Sequence, residues 1–582
     1  MSARLKISTA FYFINFSLSL TNCAKILAVF PTPSISHQIV FRPLIHELVR
    51  RGHEVTVITT DPAFPKDEAP INLTEIDVHD LSYKIWINAL EESKAGSEDD
   101  SISTQIEVVL KTMSQVFKAQ VATHEIQEII SRKKEYFDLL IIEAYVKLAL
   151  AFTHIFKAPT IQISSFGGLQ FNYAVVGAPV HPLLYPTVMN QKTYNLSNYE
   201  KLEQLYKLGV LERSMGLLEQ EDDKLLKNIF GWDIPSIRDL SNNVDMLFLN
   251  THSIWSDNQP VPPSIVYIGG IHNRAPKQLP KDLDYLLNAS KNGVIYFSLG
   301  TNVKASILPP KQLQMMIKVF AELPYDVIWK WDLESMPGKT ENIKIFKWLP
   351  QADLLRHPKI KLFITQGGLQ STDESIDAGV PLIGIPLFAD QWFNTEKYPY
   401  HKIGMKLEMP SLTEEVFREA IKKVISNKSY RENIRRLRIL MRDEPQTPLE
   451  RAVWWTEYVL RHGPPIEKLC WGLQESPYYC YYNYIVGEPN LGDVLAVDVY
   501  AKCAPIQKLR DVHQRSVIKI SLASTVKENI VKKPACLRVL HNVLKGVRSQ
   551  PIRWASVVDY GLLIVEKEPC SVMGRCEDDD EI

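Results

Sequence analysis

The stretch from Phe346 to Gln391 constrains this chain more than any other part of it. Ile360 to Thr365 is an apolar run of strand length, and it passes through Gln366-Gly367-Gly368 into a helical pattern. A strand that meets a helix through two glycines suits a doubly wound α/β sheet. Glycine lets the backbone come close to a ligand, and the unpaired N–H groups at the start of the helix favour an anion such as a diphosphate. Glu374, further along that helix, offers a carboxylate that can accept both hydroxyls of a ribose. Trp348 offers a flat face for a pyrimidine, and the Asp390-Gln391 pair combines an acceptor with an amide, as recognition of sugar hydroxyls requires. Taken singly these features are bland: a Gly-Gly before a helix is usually a tight turn, and a lone Trp usually lies in a core.

Alternation of strand and helix patterns runs on both sides of this stretch. Lys25 to Phe30 reads as a buried strand, His37 to Arg50 as a helix stopped at Gly52, and Glu54 to Thr59 as a second strand. Phe137 to Ile142 and Thr160 to Ser164 continue that sheet, while residues 180 to 240 carry mixed helical and loop character. A second series follows Pro276 and Pro280, with strands expected at Val294 to Ser298, Asp326 to Trp331, Ile360 to Thr365 and Pro381 to Ile385. Two doubly wound halves joined near 272 to 283 are the economical architecture, and their ligand belongs at the carboxyl ends of the strands, in the cleft between them.

Composition narrows the function. With 582 residues, 45% of them hydrophobic, and a net charge of -1, the chain can fill more than one core and carries no basic footprint for nucleic acid. Arg4 and Lys6, the apolar run Ala10 to Leu20, and small residues before Lys25 have the layout of a cleavable secretory signal. Asn-x-Ser/Thr triplets at Asn72, Asn195, Asn288 and Asn427 suit the same compartment. Apart from Cys23, the cysteines (Cys470, Cys480, Cys503, Cys536, Cys570 and Cys576) all follow residue 465, and none has metal-ligand spacing.

In order and spacing, the run Phe346-Lys347-Trp348-Leu349-Pro350-Gln351, continued through Gln366-Gly367-Gly368, Glu374 and Asp390-Gln391, resembles the signature of the UDP-glucuronosyl/UDP-glucosyl transferase family, in its insect-like form. The resemblance covers about Lys25 to Arg461. It implies a GT-B fold, α/β with two Rossmann-like domains facing a cleft, and an enzyme that uses a UDP-sugar as co-substrate with no cofactor or metal. The division it implies is a signal at 1–24, an acceptor domain at 25–275, a UDP-sugar domain at 276–464 and an atypical tail at 465–582. Residue by residue, it places Trp348 on uracil, Gln351 on the nucleoside and Glu374 on the ribose. Ser298, Gly300 and Thr301 fall near the diphosphate with Gly367 and Gly368, and Asp390 and Gln391 fall on the sugar. Gln366 stands where many members have a diphosphate-contacting His, and Gln370 where they have Asn; both still donate an amide hydrogen bond but carry no charge.

His37, at the place of the family's catalytic histidine, is the expected base, because a hydroxyl nucleophile needs a proton acceptor and an imidazole is largely neutral at pH 7. Glu143 is its expected partner, with Asp138 the competing carboxylate; His46, His53 and His357 read as surface or turn residues. The implied reaction is a single displacement that gives a β-glycoside of a small lipophilic acceptor, with glucose the expected sugar. A sugar-nucleotide epimerase and a non-catalytic UDP-sugar-binding protein are the alternatives. Residues 465–582 contain no uncharged run long enough to span a bilayer, the best being Trp554 to Val565. The expectation is therefore a lumenal protein of the secretory pathway, at the endoplasmic reticulum, without the anchor usual in the family. An alternative exon or a gene-model error explains the compositional break at 465 more simply than an appended module. Assembly into a homo-oligomer stays open.

Overall fold

The seven strands of the first sheet are all parallel and run in the order β3-β2-β1-β4-β5-β6-β7. They are β1 (Lys25–Phe30), β2 (Glu54–Thr59), β3 (Leu73–Asp77), β4 (Leu139–Glu143), β5 (Thr160–Ser164), β6 (Met246–Leu249) and β7 (Ile265–Tyr267). A second parallel sheet has the order β10-β9-β8-β11-β12-β13. Its strands are β8 (Val294–Ser298), β9 (Asp326–Lys330), β10 (Ile343–Phe346), β11 (Ile360–Thr365), β12 (Leu382–Gly384) and β13 (Gly404–Lys406). The computed structural model describes residues 23–92, 102–257, 259–301 and 305–463, and the strands Ile518–Ser521, Ile552–Val557 and Leu562–Lys567.

In each sheet the order reverses once, between β1 and β4 and between β8 and β11, and at such a switch point the loops leaving the strand ends diverge and open a crevice. The strands read as continuous apolar runs because helices cover both faces: β1, β4, β5, β8 and β11 are buried almost throughout. The core of the second lobe is built on large rings, with Trp329 and Phe297 tilted together at 4.4 Å and Phe320 edge-on to Trp329 at 5.6 Å. The last helix, Pro448–His462, starts at a Thr447/Glu450 capping box and returns to the first lobe, where Ala452, Val453 and Val459 join its core.

Several expected elements are found with their ends shifted: the helix expected from His37 begins at Ile35, the strand expected over 137–142 lies at Leu139–Glu143, and Pro381 to Ile385 contracts to Leu382–Gly384. The region 180–240 holds a 33-residue helix, Asn198–Phe230, opened by a Ser197/Glu200 capping box. Five strands, β3, β6, β7, β10 and β13, carry no reading in the sequence, being short or, as in β3, only partly buried.

His53 corrects the expectation of a surface or turn histidine. It is 5% exposed, its Nδ1 accepts the Ala24 N–H at 3.3 Å, and Glu457 lies 3.7 Å from Nε2, so it joins the start of β1 to the last helix. Asn72 donates its side-chain amide to the carbonyls of Val49 and His53, both at 2.8 Å, bonds that a glycan on that nitrogen would disrupt. Asn195, Asn288 and Asn427 are exposed.

The chain divides into compact units at Gln474/Glu475. In the second unit the described strands β14 (Ile518–Ser521), β15 (Ile552–Val557) and β16 (Leu562–Lys567) form an antiparallel sheet, in which Trp554 pairs with Val565. The described residues of the run considered as a membrane candidate, 554–557 and 562–565, lie in two paired strands, and among the described residues no helix is long and apolar enough to cross a membrane. The signal segment up to residue 22 and the six cysteines after residue 465 lie outside the described residues.

Candidate active site

His37 sits in the first turn of the helix Ile35–Arg50, on the loop that leaves β1, and Glu143 is the last residue of β4. Because β1 and β4 are neighbours at the switch point, two residues 106 positions apart meet: His37 Nδ1 lies 2.7 Å from Glu143 Oε1. Glu143 is fully buried and its Oε2 accepts the Thr32 N–H at 3.1 Å. A carboxylate can only accept, so the geometry puts the imidazole proton on Nδ1 and leaves the Nε2 lone pair for a substrate. The loop is pinned from below by Gln38, whose amide donates to Phe30 O at 3.1 Å and to Thr60 Oγ1 at 3.3 Å. Asp138 is engaged elsewhere, accepting the Lys25 N–H at 2.7 Å. The ring of His37 stands edge-on to Phe166 at 5.7 Å, and Phe166 stacks on Tyr145 at 4.2 Å, an aromatic wall beside the base that sequence reading missed.

Across the cleft, two turns at the ends of β8 and β11 lie against each other. Gly300 has φ +83, and a Cβ there would fall 2.1 Å from the Gln366 amide nitrogen, so the Gln366 side chain is packed onto the Gly300 turn. Gln366 Oε1 accepts from Thr365 Oγ1 at 3.2 Å, and Ser298 Oγ accepts the Gly300 N–H at 3.3 Å, with Thr301 exposed just beyond. Gly367 has φ +93, and a Cβ on it would meet Thr395 Cγ2 at 2.3 Å, so both the turn and the neighbouring helix require glycine there. Gly368 is the N-cap of the helix Leu369–Ala378, whose first N–H groups are those expected to meet an anion. Gln370 reaches the first lobe, donating to Ser165 O at 2.9 Å.

Trp348 is 62% exposed, as a stacking platform must be. Lys330, at the end of β9, holds its ammonium 4.9 Å over that ring and donates to Gly300 O at 2.9 Å. Burial lowers its pKa to about 8. Nothing in the sequence marks Lys330, since a lysine closing a strand is common. Gln351 is held by protein on every side: it accepts from Tyr296 OH at 2.9 Å and donates to Ser371 Oγ at 2.9 Å and to Glu374 Oε2 at 2.8 Å. In this geometry it orients Glu374, whose pKa burial raises.

Asp390 and Gln391 open the helix Gln391–Tyr400. Gln391 Oε1 accepts the N–H groups of Leu387 and Phe388, each at 2.8 Å, which shapes the loop. Asp390 is half-buried, and desolvation pushes its pKa up to about 6 against the opposing hydrogen bond from Asn394. Asp390 and His37, on opposite sides of the cleft, are close enough to interact electrostatically. Asn394, another residue the sequence did not single out, donates to Asp390 Oδ2 at 2.7 Å and to Gly367 O at 3.0 Å, tying the Asp390 loop to the Gly367 turn. Among the described residues no group of three His, Cys, Asp or Glu could hold a metal ion.

Two Rossmann-type lobes with a His-Glu pair on one side of a cleft and a platform, anion turn and acid-amide pair on the other define a nucleotide-sugar transferase of the GT-B fold. Solved glycosyltransferases share that architecture. The glycotransferase of kitacinnamycin superposes with a TM-score of 0.51 at 18% identity over 75% of this chain and 98% of its own. The calicheamicin glycosyltransferase CalG4 superposes at 0.50 and 18%, over 76% and 100%. The family model for UDP-glucoronosyl and UDP-glucosyl transferase matches residues 24–486, and the chain belongs to that family. It is 36% identical over 459 residues, 77% of this chain and 90% of the relative, to an ecdysteroid UDP-glucosyltransferase of Lymantria dispar multicapsid nuclear polyhedrosis virus. It is also 32% identical over 485 residues, 81% and 90%, to the UDP-glycosyltransferase UGT5 of Dactylopius coccus. The protein is thus a UDP-glycosyltransferase of insect-like type that moves a sugar from a UDP-sugar.

Proposed function

We propose that this enzyme transfers glucose from UDP-glucose, with inversion, to a hydroxyl of a small lipophilic acceptor. The observation that carries the reading is the 2.7 Å contact of His37 with the buried Glu143, on the side of the cleft that faces Asp390. The acceptor O–H gives its proton to His37 Nε2 as its oxygen attacks the anomeric carbon; the bond from that carbon to the diphosphate oxygen breaks on the opposite face, and UDP leaves. An α-linked donor then yields a β-glycoside. Glu143 stabilises the imidazolium formed in that step. The departing diphosphate is met by the N–H groups of the helix Leu369–Ala378 and by the turns at Gly300 and Gly367, with Trp348 holding uracil and Glu374 the ribose.

Glucose is favoured over glucuronate because the Ala389-Asp390-Gln391 loop places a carboxylate, and no cation, where a uronate carboxylate would need a partner. Relatives named ecdysteroid UDP-glucosyltransferases support the same donor and make hydroxylated steroids worth assaying beside simple phenols. A lumenal, secretory location and a minor contribution of residues 465–582 to transfer belong to the same reading. Initial rates with UDP-glucose and UDP-glucuronate, and the anomeric coupling of the product by NMR, test it. A preference for glucuronate removes the donor assignment, and an α-glycoside removes the single displacement.

A further inference from the structure

Lys397 is fully buried, yet the site described above makes no use of its ammonium. It lies on the helix Gln391–Tyr400, two turns beyond Asp390, and its Nζ is 2.7 Å from Asp257 Oδ2 and 3.1 Å from Tyr194 OH. Tyr194 donates to the same carboxylate at 3.0 Å, and the Phe393 ring closes over the ammonium at 4.4 Å. Asp257 and Tyr194 come from the first lobe, Lys397 from the second. A desolvated lysine costs several kcal/mol unless its partners are well placed, and burial does lower its pKa here against the pull of Asp257. The neighbouring turns of the helix grip the same lobe. Trp255 Nε1 donates to Asn394 Oδ1 at 3.2 Å, Tyr400 stacks flat on Tyr194 at 4.1 Å, and His401 stacks on Trp255 at 5.5 Å.

We propose that the Lys397–Asp257 pair, with Tyr194, is a positioning device that fixes the sugar-side helix to the acceptor lobe and so sets where Asp390 and Gln391 stand relative to His37. The helix that carries the sugar-binding residues is built on the donor lobe but fastened to the lobe that carries the base. An ion pair sharing hydrogen bonds with a tyrosine has one geometry, whereas an apolar contact of the same volume allows the helix to slide. A displacement of ~1 Å between reacting groups is enough to cost up to ~100-fold in rate. The inference rests on the assignment of His37 and Asp390 to the reaction centre.

The test separates positioning from stability. Lys397→Met alone leaves Asp257 buried without its cation and is expected to unfold readily. The double variant Lys397→Met/Asp257→Leu removes both charges, and such replacements are often neutral or stabilising. We expect it to melt at or above the wild-type temperature and to bind UDP within twofold, yet to lose tenfold or more in kcat. Tyr194→Phe, which keeps the ring stack and removes one hydroxyl, should lose two- to fivefold in kcat with UDP affinity unchanged. A folded double variant, or Tyr194→Phe if the double variant does not fold, that turns over at the wild-type rate overturns the proposal. Rates are taken relative to wild type with whichever UDP-sugar and acceptor it uses best, so a wrong donor assignment leaves this test intact. An active His37→Ala enzyme would count against the site assignment instead.

Discussion

His37 Nδ1 meets Oε1 of Glu143 at 2.7 Å, and that carboxylate has no exposed surface. A buried acceptor fixes both the tautomer and the ring orientation of the histidine, which are the properties a general base needs. His37→Ala should therefore lower kcat by about a hundredfold or more while UDP affinity, assigned by the proposed reading to the other lobe, stays within twofold. Glu143→Gln should lose much of the same factor, because an amide can present its N–H to Nδ1 and favour the wrong tautomer. Asp138→Asn should leave kcat near wild type, since that side chain accepts from the Lys25 backbone instead. Steady-state kinetics of the three variants, with UDP titration by calorimetry, checks the set.

Asp390 combines an activity prediction with a stability prediction of opposite sign. Its pKa is raised from the usual carboxylate range to about 6 by burial. Below pH ~4 the carboxyl is protonated whether the chain is folded or not; between about 4 and 6 the folded protein keeps a proton that the unfolded chain releases. Above 6 the folded protein bears a buried charge. Stability is thus lost as pH rises through this window, by up to about 3 kcal/mol. Asp390→Asn should raise the melting temperature at pH 7.5, with the gain vanishing at pH 4, while transfer falls because the neutral amide no longer accepts strongly from sugar hydroxyls. In the wild type, kcat/KM should drop as pH falls below about 6. Thermal melts at the two pH values and a pH–rate profile check both halves.

The residues legible in the sequence are those whose chemistry follows from a strand-turn-helix pattern. Gly367, Gly368, Glu374, Asp390 and Gln391 sit in the turns and helices that follow β11, where local spacing determines which residues lie near one another. His37 and Glu143 were legible through the family resemblance, and the structure puts Glu143 at the end of β4 and His37 in the first turn of the helix that follows β1. What the sequence hides is contact between distant segments. Lys330 reaches Gly300 across 30 positions, Gln370 reaches Ser165 across 205, and Lys397 reaches Asp257 across 140. His53 was misread for the same reason: its burial comes from Ala24 and Glu457, and neither is near it in the chain. Gln351, expected on the nucleoside, also bonds Tyr296, Ser371 and Glu374, contacts that no motif records.

The proposed donor platform should have a pH dependence of its own. Trp348→Ala should weaken UDP binding by about 1–3 kcal/mol, the range for a lost base–aromatic stack. Lys330 carries its charge over the same ring, with a pKa lowered to about 8 by burial. A lysine so shifted loses its proton as pH rises through that value, so wild-type affinity for UDP should weaken between pH 7 and 9. Lys330→Met should bind more weakly at pH 7 and show no such slope. Calorimetric titrations at pH 7, 8 and 9 decide, and a wild-type affinity that stays constant over the range would rule out a role for the ammonium.

Gly367 separates backbone strain from steric pressure within one molecule. Its φ of +93 is close to that of Gly52, +96, and alanine is strained at either position by roughly 1–2 kcal/mol. Around Gly52 a Cβ would meet nothing within 4 Å, so Gly52→Ala should cost only that strain. A Cβ on Gly367 would lie 2.3 Å from Thr395 Cγ2 and 3.1 Å from the Gln391 carbonyl, so the helix carrying Gln391 must move to admit it. Overpacking of this kind adds about 1–3 kcal/mol and displaces the residues that hold the sugar. Gly367→Ala should therefore melt lower than Gly52→Ala and, unlike it, lose kcat by tenfold or more. Thr395→Ser removes the clashing methyl and leaves the Thr395 Cβ position, 3.7 Å from the new methyl, in ordinary contact. Gly367→Ala/Thr395→Ser should then regain most of the steric part in both stability and turnover while keeping the backbone strain. If the double variant is no better than Gly367→Ala, the glycine is required by its backbone conformation and not by its closeness to the sugar-side helix.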